Sequence, residues 1–121
     1  MNSTSVEGAY RNLAQYVLSF IGARQWDVAG CSMRIFSKMA RGSQWLVKHG
    51  NREERGGFEE NQNALWDGLD AAIFLRDHLR ATTGDRIWGL TFTLYPDGKF
   101  EIKYDYDKPE DYEETDETIS L

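Results

Sequence analysis

The side chains best suited to covalent chemistry are few and scattered. Across 121 residues there is one cysteine, Cys31, and there are two histidines, His49 and His78. Nucleophilic attack by Cys31 needs a base such as His49 or His78 brought beside it. Cys31 instead alternates with Ser32 and Arg34 in step with Met33 and Ile35, where a small buried thiol is the plainer reading. Neither histidine has a partner at the i, i+4 spacing of a helical metal pair, and a lone cysteine excludes both an intrachain disulfide and a cysteine-rich zinc site. The glycines at Gly56-Gly57 and Gly84 belong to neither a Walker loop nor a Gly-x-Gly-x-x-Gly turn. The sequence therefore predicts no cofactor, no metal and no catalytic residue. The enzyme reading left open is a small enzyme or nucleotide-binding domain in which folding gathers Cys31, His49 and nearby carboxylates.

Binding chemistry is more visible. The chain carries 20 acidic and 14 basic residues, a net charge of −6. Eight of the acids (Asp105, Asp107, Glu110, Asp111, Glu113, Glu114, Asp116 and Glu117) fall in the last 17 residues with one base, Lys108, so the preceding 104 residues are close to neutral. Clustered carboxylates attract a basic partner and repel nucleic acid. From Tyr104 to Glu114 they alternate with Tyr104, Tyr106 and Tyr112, and tyrosine offers a large contact area at low entropic cost. The candidate partner-binding residues are Tyr104, Asp105, Tyr106, Asp107, Glu110, Asp111, Tyr112, Glu113 and Glu114. Residues 116–121 read as a solubilising tail.

A second charged group, Arg34, Lys38, Arg41 and Lys48, surrounds Phe36 and Trp45. Basic and aromatic residues together could stack and neutralise a single strand, but an ordinary polar sheet face accounts for them in a chain of acidic balance. No nucleic-acid partner is expected. No apolar run reaches the length of a membrane span, and the first residues lack the basic start and apolar middle of a signal peptide, so a cytoplasmic setting is expected.

These groups need elements to position them. Tyr10, Leu13, Val17 and Ile21 recur at helical spacing, with Thr4-x-x-Glu7 as a capping box and Gly22 as a C-cap. Alternation at Cys31, Met33 and Ile35 predicts a strand, and Arg41-Gly42-Ser43 is expected to break it before Trp45-Leu46-Val47 resumes; the hairpin spans about residues 28–49. Residues 50–60 read as a polar, glycine-rich loop, with a short edge strand near Phe58. A second helix, capped by Asn61 or Asn63, presents Leu65, Leu69, Ala72, Ile73, Arg76 and Leu79, and ends at Gly84. Trp88, Leu90, Phe92 and Leu94 then alternate with small residues, Pro96-Asp97-Gly98 turns the chain, and Phe100, Ile102, Tyr104 and Tyr106 alternate with polar ones. The expected fold is α+β: one domain over residues 1–107 in α-β-β-α-β-β order, a mostly antiparallel sheet with both helices on one face, and an acidic tail at 108–121.

The run from Ile87 to Asp107, with its Trp88, Leu90-Thr91-Phe92-Thr93-Leu94, Asp97-Gly98-Lys99-Phe100 and Tyr104-Asp105-Tyr106-Asp107, resembles the YezG-like family of bacterial antitoxin and immunity proteins. Trp26-Asp27 after the first helix and the order of elements add to the likeness. The resemblance implies an immunity protein of contact-dependent growth inhibition or a related toxin system. Its partner would be the C-terminal domain of a cognate toxin, often a nuclease, blocked at its active site or at an exosite without bond-making. Trp88, Leu90, Phe92, Asp97, Gly98 and Phe100 read as core and turn on physical grounds. Tyr104, Asp105, Tyr106 and Asp107 are where the family motif and a plausible interface coincide.

Overall fold

A computed structural model of the chain describes residues 5–58 and 61–108. The first helix, α1, runs over Val6–Ile21. Its cap is Ser5, whose Oγ accepts a hydrogen bond from the Gly8 amide at 3.0 Å, one residue later than the expected Thr4 box; Thr4 lies outside the described residues. Gly22 ends the helix with φ +59°, as its missing Cβ allows. Leu13, Tyr16, Val17, Phe20 and Ile21 are buried along one stripe.

Strand β1, Val28–Ile35, pairs antiparallel with β2, Ala40–Lys48. The chain reverses at Phe36–Met39, where the Phe36 amide donates to the Met39 carbonyl at 2.8 Å. The expected break at Arg41-Gly42-Ser43 is therefore corrected: these residues continue β2. Gly42 is in the strand because Tyr16 presses on it; a Cβ there would lie 2.6 Å from the Tyr16 hydroxyl oxygen. His49-Gly50 then makes a tight turn with positive φ at both residues, +51° and +80°. It returns the chain as a short strand, β3, over Asn51–Glu53. The edge strand expected near Phe58 thus sits earlier. Phe58 is instead a buried plug, its ring 5.0 Å from that of Tyr16 and 6.3 Å from that of Phe20.

Helix α2, Asn63–Thr83, begins with the Ala64 amide donating to Asn61 Oδ1 at 3.2 Å and ends before Gly84, whose φ is +78°. Its buried residues are Ala64, Gly68, Ala71, Ala72, Leu75 and Arg76; of the expected face Ala72 and Arg76 are buried, while Leu65, Leu69, Ile73 and Leu79 are half-buried beside them. The small residues let the helices approach. A Cβ on Gly68 would stand 2.7 Å from Tyr16 Cβ.

Strands β4, Gly89–Leu94, and β5, Phe100–Asp105, pair antiparallel across Pro96-Asp97-Gly98. Gly98 takes φ +90°, and Asp97 Oδ1 accepts from the Lys99 amide at 2.9 Å. The five strands lie in the order β3-β2-β1-β4-β5, every pair antiparallel. The element order is α-β-β-β-α-β-β, the expected α+β class with one more strand. In register across the sheet, Gln44, Cys31, Phe92 and Ile102 share one face, as do Gly42, Met33, Leu90 and Tyr104. Tyr16 of α1 and Leu69 of α2 both reach Gly42 on that face, so the two helices cover the same side. Among the described residues no helix covers the other face.

Candidate functional site

The sheet alternation sorts the C-terminal candidates between two faces. Tyr104 points to the helix side. Its hydroxyl lies 3.2 Å from that of Tyr10 on α1, and burial followed by this hydrogen bond raises its pKa. Tyr104 thus ties the last strand to the first helix and offers little to a partner. Asp105 points to the open face, opposite Gly89, and is exposed. Its Oδ1 accepts from the Asp107 amide at 2.9 Å, which bends the chain as it leaves β5. Tyr106 is 53% exposed and Asp107 is exposed. The candidates Glu110, Asp111, Tyr112, Glu113 and Glu114, and all but the first residue of the expected tail at 108–121, lie outside the described residues.

Among the described residues β5 is an edge strand. Two exposed rings, Phe100 and Tyr106, stand near its two ends. Phe100 stacks on Phe92 at 5.1 Å and packs against Tyr10 at 5.4 Å, so its exposed side rests on a fixed base. This edge combines open backbone groups, aromatic surface and carboxylates, which is the material of strand addition and of a charged interface.

The catalytic alternative is not assembled. Cys31 is fully buried on the helix side, and burial pushes its thiol up to about 12. Its register partner is Gln44, and His49 lies five residues further along, about 17 Å at the rise of a strand. His49 is exposed in the β2–β3 turn, where its backbone amide donates to Asp27 Oδ2 at 2.8 Å. That amide, with desolvation opposing it and Lys48 3.6 Å away assisting, holds the Asp27 carboxyl below its ordinary range. His78 stacks on Phe74 along α2. Among the described residues, no three histidine, cysteine or acidic side chains gather as a metal site, and no helix is long and apolar enough to cross a membrane.

The basic group of the first hairpin is divided by the fold. Lys48 faces Asp27, and Lys38 lies in the β1–β2 turn. Arg34 and Arg41 face each other on the open side of the sheet. Trp45 covers Gly30 there, its ring 2.8 Å from where a Cβ would stand, with the Arg52 guanidinium 5.0 Å above it. The sequence groups Arg34, Arg41 and Trp45 as a polar sheet face, but placing Arg41 directly beside Arg34 needs the register. Alternation alone gave its exposed members on β1. The chain matches no protein-family model and no curated protein.

Proposed function

We propose that this protein binds and neutralises a basic protein, an exported bacterial toxin domain, by covering its active site or an adjacent surface without making or breaking bonds. The observation that carries this reading is the concentration of carboxylates and an exposed tyrosine where an edge strand ends: Asp105 closes β5, Tyr106 and Asp107 follow it, and six further acids come within the next ten residues of the sequence. An edge strand can extend a partner's sheet or accept its strand, while the acids speed encounter with a positive surface. A nuclease domain has such a surface, since it must hold phosphates.

The reading also rests on the resemblance of residues 87–107 to immunity proteins. The test is co-purification of the chain with the C-terminal domain of a large exported protein encoded beside it, followed by titration over a range of salt. Neutralising Asp105, Asp107, Glu110 and Asp111 together is expected to weaken the complex and flatten its salt dependence. An affinity and a salt slope both unchanged would overturn the electrostatic mechanism. Failure to bind the adjacent toxin domain at all would overturn the assignment.

A further inference from the structure

The open face of the sheet carries a polar groove that the partner-binding reading does not use. At its centre Arg34 on β1 stands directly opposite Arg41 on β2, both exposed. Like charges set face to face across two strands repel, and neither guanidinium makes an ion pair among the described residues. On the far side of Arg34 the register position is Gly89, where a Cβ would lie 2.7 Å from the Met33 carbonyl oxygen, so the floor there is bare backbone. One row along the strands, Ser43, Ser32 and Thr91 line up, with Ser32 Oγ 3.3 Å from Thr91 Oγ1. Together these residues enclose about 350 Å³, bounded on the β5 side by Asp105.

We propose that this groove binds a small phosphate monoester, its phosphate held between Arg34 and Arg41 and its oxygens receiving hydrogen bonds from Ser32, Ser43 and Thr91. Two unneutralised guanidiniums side by side call for a ligand of two charges with several acceptor oxygens, and guanidinium forks match phosphate geometry. A single carboxylate would leave one of them unmatched. The groove is also the size of a small-molecule site. Its β5 side is of mixed charge, with Lys103 opposite Thr91 between Asp105 and Glu101, so it lacks the continuous positive track that a chain of phosphodiesters running over the sheet would need. For a compact monoester, the same Asp105 accepts a hydrogen bond from a hydroxyl or amine at the ligand's other end.

The experiment is a titration of the isotopically labelled full chain with inorganic phosphate, followed by amide chemical shifts, against acetate at matched ionic strength. Saturable shifts centred on Ser32, Arg34, Arg41, Gly89 and Thr91, stronger with phosphate than with acetate, are expected. The double variant Arg34→Gln/Arg41→Gln, whose fold is checked by its melting curve, should bind phosphate roughly tenfold or more weakly. Arg52→Gln, on the same face beside Trp45, should leave binding unchanged. Small shifts spread over the surface and following ionic strength alone would overturn the proposal, as would an equal response to acetate. A single-stranded oligonucleotide without a terminal phosphate that binds more tightly than phosphate, with shifts running onto Trp45 and Thr93, would replace the monoester with nucleic acid.

Discussion

At the scale of single residues, the open face and the buried face trade different things. The Arg34–Arg41 opposition has a cost in the free protein. Replacing Arg34 by Thr, which suits an exposed strand position, should raise stability by about 0.2–1 kcal/mol in urea denaturation, while weakening any phosphate binding. A measured loss of stability would mean that the guanidinium is held by favourable contacts instead. On the buried face, the Cys31 thiol has its pKa raised from 9.0 to about 12 by burial. A raised folded-state value means that the unfolded chain releases its proton first as pH rises. Stability from Cys31 is therefore intact below pH 9 and is lost between 9 and about 12. Tyr16 and Tyr104 have raised values as well and act in the same direction. Alkaline titration of the wild type and of Cys31→Ala should show a shallower decline in the variant, and native Cys31 should resist thiol reagents until the chain unfolds. Much of this was legible from Cys31, Met33 and Ile35 alternating with Ser32 and Arg34. The meeting of Arg34 with Arg41 was not, because nothing local to either residue states which position lies opposite.

At the scale of elements, alternation and turn chemistry read well where both were strong. The β4–β5 hairpin follows from large residues at every second position and from Pro96-Asp97-Gly98, and it stands within a residue of expectation at each end. Strand β3 escaped notice because Asn51, Arg52 and Glu53 are polar and exposed on both sides; its pairing comes from the His49-Gly50 turn and not from its own pattern. Gly42 misled for the opposite reason. It resembles a breaker, yet it is a strand residue made small by the Tyr16 ring from another element. The buried face of α2 was legible only in part: Ala72 and Arg76 are buried as expected, but helical spacing of the large residues marks half-buried flanks where the closest contact uses Gly68, Ala71 and Ala72. This gives a prediction for the helix pair. Gly68→Ala improves helix propensity by about 1 kcal/mol, but its methyl would overlap the Tyr16 side chain. The clash should dominate, with a net loss of about 1–2 kcal/mol in chemical denaturation. A more stable variant would show that α1 and α2 separate freely. Arg76 fastens α2 to the sheet by another route: buried, it donates to the Phe36 and Ser37 carbonyls and so holds the β1–β2 turn.

For the whole molecule, the division between a near-neutral body and an acidic end was plain from residue counts, and the fold gives it a location. The body supplies a closed core under one face of the sheet, and the end continues from an edge strand. Which surface meets a partner was less legible, since Tyr104 and Tyr106 have similar neighbours in the sequence, yet Tyr104 is tied to Tyr10 within β5 while Tyr106 lies exposed just past its end. The order β3-β2-β1-β4-β5 also governs how the sheet forms. The first three strands assemble from near neighbours in the chain, but β1 finds its other neighbour only in β4, beyond the whole of α2. Closing so long a loop precedes its reward in contacts. Phe92 lies at that junction opposite Cys31. Phe92→Leu should therefore slow refolding in stopped-flow measurements, not merely hasten unfolding, and a change confined to the unfolding limb would contradict this order.

The same junction bears on synthesis at the ribosome. A nascent chain that has emerged only through α2 holds three strands and two helices, with the β4 side of β1 still bare. Asp105, Tyr106 and Asp107 follow the strands that cover it. Products of interrupted translation thus carry most of the body without the end proposed to recognise the toxin, and they leave that partner unoccupied for complete chains.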